Sequence, residues 1–484
     1  MFKFASVMAA FLIFGGCVMF APVTRHETPL ELPAKYSLYA SEAEPKAGSM
    51  SREWRVFFDN DELNRLVARA LAGSFDIETA RARFAQAWAV ARRTDSSAWP
   101  ALNYDAGAQA TRTRIKSASS QSVSVSGEEA WTLGLGASYE IDLWGRVKSM
   151  RRAGAIKIEA AREDLAAAAV TVAAKTVELW IDIISVRQQI GILEKQIKSA
   201  RNLLSLQQSR FLNGVGKAFD ISQQTEALAA IKAEAPLLRL EERQLMTSLA
   251  FLLGMASAQG LEIRQTTIPQ PIPMPSAGLP ADLLANRPDV RAAGLRLKSA
   301  DWEVSAARSD RLPSISLSAQ SLFSSGALHL LFDQWISTLG ASLTGPIFDG
   351  GRRRAEVERT RAVAKERLAL YAQTVAKAVK EVEDSMAGEE FRNVYVELLE
   401  DQLKAARITT QGALLIYLNG QGDYDSYLRA LTGGQSLERR LVLAKASRAK
   451  ARVALCRALG GDWTTDVANN DGQGNDQGDQ KENE

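Results

Sequence analysis

Two stretches of the chain alternate apolar with polar residues at a period of two, the spacing of a β-strand with one apolar face. In WTLGLGASYEIDL, which runs from Trp131 to Leu143, the odd-numbered residues are apolar and the even-numbered residues are small or polar. WISTLGASLTGPIF, which starts at Trp335, repeats the pattern less regularly. ALNYDAGAQATR and SISLSAQSLF precede these stretches and alternate in the same way. The pattern therefore predicts two β-hairpins.

Aromatic residues stand near the ends of the four predicted strands: Trp99, Trp131, Trp144, Phe323, Trp335 and Phe348. Such a placement suits the aromatic girdles of a transmembrane β-barrel. The alternation itself is equally compatible with a soluble sandwich that packs one face on a core.

The helical segments favour the membrane interpretation. Arg146 to Arg210 and Arg352 to Tyr417 contain no proline. Each is predicted to form one helix of about 65 residues, or roughly 100 Å at a rise of 1.5 Å per residue. No compact domain requires helices of that length. In the first of them, apolar residues at three- and four-residue spacing predict a seam against neighbouring helices: Val170, Ala174, Val177, Ile181, Ile184, Ile190, Leu193, Ile197, Ala200 and Leu204.

The chain contains an internal repeat. Asp76-Ile77 and Pro100 recur 213 residues later as Asp289-Val290 and Pro313. After one insertion the offset is 206 residues, and it relates Gly145-Arg146 to Gly351-Arg352, Leu212-Asn213-Gly214 to Leu418-Asn419-Gly420, and Leu253-Gly254 to Leu459-Gly460. A constant offset over more than a hundred residues indicates two copies of one structural plan.

Each copy is predicted to contain a short helix, two strands, a long helix, a glycine-rich turn and a returning helix. The returning helices are predicted over Phe219–Leu253 and Tyr424–Leu459, interrupted by Pro236 and by Gly433-Gly434. Glycine permits the left-handed backbone that a reversal of the chain within a few residues needs. The two turns share the pattern Leu-Asn-Gly-x-Gly: Leu212, Asn213, Gly214 and Gly216 in the first, and Leu418, Asn419, Gly420 and Gly422 in the second.

The N-terminus has the pattern of a secretory signal that ends at a cysteine. Lys3 precedes an apolar stretch that ends at Phe14, and two glycines stand directly before Cys17. Small residues before a cysteine resemble a bacterial lipoprotein cleavage site, which predicts that Cys17 becomes the lipidated first residue. A signal cut elsewhere and an uncleaved anchor are the alternatives. The sequence after this segment contains no run of about 18 apolar residues that would predict a membrane-spanning helix.

Composition removes several classes of function. The 484 residues carry a formal net charge of +3, without the basic footprint of a nucleic-acid-binding protein. His26 and His329, the two histidines, have no acids or cysteines at ligand spacing, so neither a zinc site nor a histidine-based triad is predicted. Cys456 lies in an apolar helical pattern and is predicted to be a buried, unreactive thiol. The sequence carries no phosphate-loop, nucleophile-elbow or metalloprotease motif, so we expect neither catalysis nor a cofactor.

Four strands are too few to close a transmembrane barrel. Membrane barrels start at eight strands, and an open edge in lipid leaves backbone groups without hydrogen bonds. Several chains must therefore share one barrel, and two, three or four copies would supply eight, twelve or sixteen strands. Strand number alone leaves the choice between these open.

Five segments, taken in order, resemble the TolC-like outer-membrane efflux proteins, and specifically their NodT-type lipoprotein branch: FFDNDELNRLVARAL, YEIDLWGRVKSMRRA, LPADLLANRPDVRAA, GPIFDGGRRRAEVERTRA and ALGGDW. The resemblance covers the chain from about Trp54 to Trp463. It implies a mainly α-helical homotrimer, with a shared twelve-stranded barrel in the outer membrane, a long coiled-coil barrel in the periplasm and a mixed equatorial belt. It also implies a periplasmic adaptor protein and an inner-membrane pump as partners.

The resemblance places both Leu-Asn-Gly-x-Gly turns at the periplasmic tip of the helical tunnel. Reversal of the chain is their first expected role, and contact with the adaptor is the second. Related proteins carry acidic residues near this end that constrict the pore and favour cations, and Asp423 and Asp425 are the candidates here. Ser426 and Arg429 depart from the related proteins, which often carry an aspartate nearby. The alternative is that both acids are merely solvated at a loop.

The expected function is a passive, trimeric outer-membrane duct of a tripartite efflux or secretion system. The alternative is a non-conducting coiled-coil lipoprotein of the outer membrane. The predicted organisation is a signal peptide over 1–16, a lipidated tether and equatorial segment over 17–60, a first repeat over 61–260, a linker over 261–280, a second repeat over 281–463 and a disordered polar tail over 464–484.

Overall fold

The computed structural model describes residues 20–22, 33, 36, 60–116, 123–269 and 283–460. The predictions for the signal peptide, for Cys17 and for the tail over 464–484 lie outside these residues.

The elements follow the predicted order. The first copy of the repeat contains α1 (Asp61–Gly73), α2 (Phe75–Asp95), β1 (Ala101–Lys116), β2 (Val123–Ile141), α3 (Arg146–Leu212) and α4 (Ala218–Leu252). The second contains α5 (Leu283–Asn286), α6 (Pro288–Ser309), β3 (Ser314–Ser325), β4 (Trp335–Thr344), α7 (Arg352–Leu418) and α8 (Tyr424–Ala458). Single 3₁₀ turns occupy Ser96–Ala98 and Leu328–Leu330.

The helical hairpins of the two copies have equal lengths. Helices α3 and α7 each contain 67 residues, and α4 and α8 each contain 35. Both long helices begin at an aspartate cap, because Asp142 accepts from the backbone amides of Val147 and Lys148 at 3.1 and 2.7 Å and Asp349 accepts from Gly351 and Arg353 at 3.0 and 3.3 Å. The two internal repeats and the long helices are thereby confirmed.

The predicted interruption of the returning helices is wrong. Helix α4 continues through Pro236, and α8 continues through Gly433-Gly434. A proline inside a helix costs about 3 kcal/mol because it removes one backbone donor. The carbonyl group that loses this donor belongs to Lys232, an exposed residue at which water can bind instead. Packing along the rest of each 35-residue helix outweighs the local cost.

Helix α1 was not among the predicted elements, although the sequence carries the pattern of a helix start there. The Asn60 side chain caps it by accepting from the backbone amide of Leu63 at 3.0 Å, and Asp61 and Glu62 occupy its first turn. The buried residues of α1 stand at helical spacing: Leu63, Leu66, Val67 and Ala70. Asparagine followed by acids and this apolar spacing is the usual signal of a helix start.

The four strands form one antiparallel sheet in the order β1-β2-β3-β4. Ala108 pairs with Trp131, Trp131 with Ser325, and Phe323 with Trp335. Strands β1 and β2 are longer than the alternation predicted, since their pairing continues to Lys116 and Val123. Strand β4 ends at Thr344, shortly before a proline that has no amide for the ladder.

Within the described residues, the chain forms two compact units. One consists of 20–22, 85–116, 123–160 and 293–371 and contains the sheet; the other consists of 33, 36, 60–84, 161–269, 283–292 and 372–460. The second unit holds a large hydrophobic core, whose fully buried side chains include Leu63, Ile77, Leu165, Trp180, Ile181, Ile183, Ile184 and Leu249. Among the described helices, none combines the length and the apolar character of a membrane span.

Candidate functional site

The two Leu-Asn-Gly-x-Gly turns have the same hydrogen-bonding geometry. In the first, the amide of Gly214 donates to Phe211 at 3.0 Å and that of Val215 donates to Arg210 at 2.9 Å. In the second, the corresponding amides of Gly420 and Gln421 donate to Tyr417 and Ile416, both at 3.0 Å. This is the Schellman pattern, in which the first residue beyond the helix cap, C′, adopts the left-handed conformation. Gly214 and Gly420 meet that requirement with φ of 75° and 73°.

The second glycine of each turn provides room rather than a left-handed backbone. A Cβ atom on Gly216 would lie 2.7 Å from the backbone nitrogen of Phe211, and one on Gly422 would lie 2.7 Å from the Cγ2 methyl of Ile416. The obstacle is therefore rigid in the first turn and a movable side chain in the second. The sequence pattern thus combines two different reasons for glycine.

Three tyrosines pack beside the second turn, in a group that we name the tyrosine cluster: Tyr417, Tyr424 and Tyr427. The rings of Tyr417 and Tyr427 stack with centroids 6.3 Å apart, and Leu203 of α3 completes the buried group. The guanidinium carbon of Arg210 lies 4.8 Å from the centre of the Tyr417 ring, within the range of a cation–π contact. Residues at the ends of both helical hairpins therefore meet in one cluster.

Glutamines of the first hairpin accept hydrogen bonds from two of the three tyrosine hydroxyls. The Tyr417 hydroxyl donates to Gln207 at 2.9 Å, and the Tyr424 hydroxyl donates to Gln224. Gln224 in turn donates to the backbone oxygen of Ala200 at 2.8 Å. Burial, followed by the neighbouring tyrosines, raises the pKa of Tyr424 above its usual range. The hydroxyl therefore stays protonated and continues to donate at all physiological pH values.

Asp423 has a structural role in the second turn. Its side chain caps α8 by accepting from the backbone amide of Ser426 at 2.9 Å. Hydrogen bonds from the side chain and backbone of Ser426 lower the pKa of Asp423. The carboxylate is thus committed to the helix start, where negative charge also complements the helix dipole.

Asp425 links the two hairpins. Its Oδ1 accepts from the side-chain amide of Gln223 at 3.1 Å, and its Oδ2 lies 2.7 Å from Nη2 of Arg429. The Asp425 side chain remains 40% exposed and can therefore interact with ions in solution. Of the two acids that the sequence singled out, Asp425 alone makes a bond between α4 and α8.

The residues of the two turns differ in exposure. Leu212 is 84% exposed, and the apolar side chains around it are exposed as well: Phe211, Val215 and Phe219. Beside the second turn, the aromatic residues are buried in the tyrosine cluster. Sequence reasoning missed these tyrosines, although three tyrosines within eleven residues of one glycine turn were a visible signal.

The sheet presents a second candidate site, its apolar face. Directly paired residues of an antiparallel sheet point to the same side, so the register places even positions of β1 and odd positions of β2, β3 and β4 on one face. The large hydrophobic residues exposed on it are Leu102, Tyr104, Val123, Val125, Leu135, Leu317, Trp335, Leu339 and Leu343. Leu102 is 74% and Leu339 86% exposed. The opposite face is mostly serine, threonine, asparagine, aspartate, glutamine and glycine, with Ile115 and Ile336 as exposed exceptions.

A sheet with one exposed apolar face and two copies of a long helical hairpin are the features expected of an outer-membrane channel. The match to the family model "Outer membrane efflux protein" covers residues 66–255 and 279–461, one stretch for each copy of the repeat. The chain belongs to the outer membrane efflux protein family. The predicted resemblance to TolC-like proteins is confirmed.

Similar proteins cover the chain almost completely. "Pyoverdine export outer membrane protein OpmQ" of Pseudomonas aeruginosa is 29% identical over 471 residues, which span 96% of this chain and 98% of that protein. "Probable outer membrane lipoprotein SilC" of Salmonella typhimurium is 25% identical over 477 residues, 95% of this chain and 99% of that protein. The solved structure of the outer-membrane channel OprN has a TM-score of 0.81 and 27% identity, and the match covers 92% of this chain and 100% of that one.

Family membership decides between the functions that the sequence left open. The chain is an outer-membrane efflux channel and not an enzyme, and the interpretation as a non-conducting coiled-coil lipoprotein is disfavoured. Cys456 lies in the buried core, and burial raises the pKa of its thiol to about 12. The residue is therefore structural, as its sequence pattern predicted.

Proposed function

We propose that three copies of this chain form a passive duct that crosses the outer membrane and extends into the periplasm. Each copy contributes its four strands to a shared twelve-stranded barrel and its helical hairpins to a coiled-coil tunnel. The duct docks to a periplasmic adaptor protein and an inner-membrane pump, which supplies the driving force.

The sheet carries this proposal. Its order makes β1 and β4 the outer strands, and each presents a row of backbone groups that need partners once the apolar face is in lipid. An unsatisfied backbone group in the hydrocarbon region costs several kcal/mol. Pairing β1 of one copy with β4 of the next satisfies both rows and closes the barrel. Twelve strands leave a lumen, whereas eight would fill with side chains.

The exposed apolar residues of the first turn support the adaptor contact. Leu212, Phe211, Val215 and Phe219 project from the end of a hairpin at which no core covers them. Exposed apolar groups of this kind mark protein contact sites. We assign both glycine turns to the periplasmic tip, and we assign Cys17 to a lipid anchor.

Asp425 is the residue that we assign to the constriction of the pore. Its bond to Gln223 holds the starts of α4 and α8 together, and its partly exposed charge favours cations. Asp423 is the weaker candidate, because its carboxylate is engaged in capping.

Substituting Asp425 with asparagine should raise the single-channel conductance and lower the preference for cations severalfold. The change removes three charges from the trimer and weakens the bond between hairpins, while it keeps the size of the side chain. Planar-bilayer recordings in a potassium chloride gradient measure both quantities. Asp401→Asn, an exposed acid on α7, is the matched control. If the two variants have equal conductance and equal selectivity, Asp425 does not line the constriction.

The duct itself is tested by reconstitution of the purified full-length protein. We expect single-channel steps in planar bilayers, and we expect Cys17→Ser to leave the protein in the membrane, because the strands hold it there. A protein that conducts no ions and is released into water by this substitution would instead be a lipoprotein scaffold.

A further inference from the structure

The apolar face of the sheet ends in a row of cations. Arg112, Arg114 and Lys116 occupy the last even positions of β1, on the same face as Leu102 and Tyr104. We name Arg112, Arg114 and Lys116 the cation row. Their positions follow directly from the period of two, since an even-numbered residue of this strand always points to the apolar side.

An aromatic row separates the cation row from the apolar band. The register places Trp131, Phe323 and Trp335 at nearly the same level, because Trp131 pairs with Ser325 and Phe323 with Trp335. Tryptophan and phenylalanine at one level across neighbouring strands suit the boundary between hydrocarbon and headgroups. β3 and β4 stop near this level, whereas β1 and β2 continue past it.

No acid of the neighbouring strand pairs directly with a residue of the cation row. Arg112, Arg114 and Lys116 pair across the sheet with Gly127, Val125 and Val123, none of which is charged. Glu129 is the acid of this face, and it lies nearer to the aromatic row, opposite Ala110. Three positive charges on one exposed strand face are therefore available to an anionic partner.

The height of the row places it at the level of lipid headgroups. Arg112 and Lys116 lie four and eight residues beyond Ala108, which pairs with Trp131. At about 3.4 Å per residue and a strand tilt of about 40°, they stand roughly 10 to 20 Å beyond the aromatic row. This is outside the hydrocarbon region and inside a sugar-phosphate headgroup layer.

We propose that the cation row binds the phosphate groups of the outer-leaflet lipopolysaccharide. The strands meet the helices at the opposite end of the sheet, so the cation row faces the cell exterior once the helices are periplasmic. The inference rests on that orientation, which belongs to the proposed function. The cation row continues the apolar face of the sheet, and this favours a lipid over a soluble anion. Acyl chains on the apolar face and phosphates on the cation row would bind as parts of one molecule.

The spacing of the row fits several phosphates on one lipid. Successive even positions lie about 7 Å apart along the strand, and guanidinium groups bind phosphate oxygens in a bidentate manner. Each Lys or Arg beside anionic headgroups raises the affinity for the lipid by about fivefold.

Binding of lipopolysaccharide to the purified channel in detergent tests the proposal. The probe is lipopolysaccharide with its phosphates intact, and the comparison probe is the same lipid after enzymatic dephosphorylation. Arg112→Gln, Arg114→Gln and Lys116→Gln together should weaken binding by about ten- to a hundredfold. Arg112→Lys with Arg114→Lys keeps the charge and should retain most of the affinity. The matched control removes three exposed cations of α3, by Lys195→Gln, Lys198→Gln and Arg201→Gln, and should bind like the wild type.

Two results would overturn the assignment. One is equal affinity of the triple glutamine variant and the wild type; the other is equal binding of intact and dephosphorylated lipid by the wild type, which needs no variant to fold. Conductance is recorded on the same preparations. A channel that conducts normally but has lost the lipid confirms the row independently of the duct, whereas absent conductance counts against the duct and leaves the lipid measurement valid.

Discussion

Replacing Arg452 alone with methionine is expected to destabilise the protein by about 3–5 kcal/mol, the usual cost of leaving one partner of a buried ion pair uncompensated. The Arg452 side chain is 4% exposed and the Glu389 side chain 1%. Nε of Arg452 donates to both carboxylate oxygens of Glu389, at 2.7 and 2.9 Å. Without the guanidinium, the Glu389 carboxylate would be buried between α7 and α8 with its main donors removed.

The internal repeat shows how the same position is filled without charge. At the offset of 206 residues, Arg452 corresponds to Met246 and Glu389 to Ile183, which belongs to the buried core of the second unit. The double variant Arg452→Met with Glu389→Ile should therefore recover most of the stability lost by either single variant. Replacement of a buried ion pair by apolar residues of similar volume is often neutral or stabilising.

Thermal unfolding followed by circular dichroism compares the wild type, both single variants and the double variant. The expected order of midpoints is wild type and double variant together, with both single variants well below. If the double variant is as unstable as the single ones, the ion pair has a role in hairpin register that apolar residues do not replace.

Gly254→Ala is expected to destabilise by about 2–5 kcal/mol, since strain and overpacking add. Gly254 has a φ of 73°, a conformation that alanine adopts only with strain. Its added Cβ would also fall on the carbonyl oxygen of Gly73 at the end of α1. Neither obstacle is a side chain that can turn away, so the backbone itself must move.

Gly191→Ala is the matched control for this substitution. Gly191 lies inside α3, and a Cβ atom there meets nothing within 4 Å. Alanine should stabilise this helical position by about 0.5–1 kcal/mol. Thermal unfolding should therefore separate the two variants in opposite directions from the wild type. Equal midpoints would mean that the contact between Gly254 and Gly73 is not required in the assembled channel.

Local periodicity predicted much of this fold because it repeats over long distances. Alternation of apolar and polar residues predicted which residues share a face of the sheet. The absence of proline predicted the two long helices, each of which contains 67 residues in the structure. The pairing of β2 with β3 could not be predicted in this way. Residues such as Trp131 and Ser325 are far apart in sequence, and a period of two defines the face of a strand but not its neighbour.

The candidate site was predicted only in part for a similar reason. Glycine turns are local, so both were visible, whereas the tyrosine cluster depends on Gln207 and Gln224 of the other hairpin. Arg452 and Glu389 are separated by 63 positions and each stands on a helix rich in charged residues. Such residues usually form a solvated face, and only the packing of α7 against α8 shows that these two are buried.

The pooling of strands between copies is the central claim, and a disulfide across the sheet edges tests it most directly. Each variant carries one new cysteine on the outer edge of β1 and one on the outer edge of β4. Cys456 is replaced by alanine in all variants. We expect at least one pair to link chains under oxidising conditions, giving covalent dimers and trimers on a non-reducing gel. A full scan in which every pair leaves the protein a single chain would contradict it.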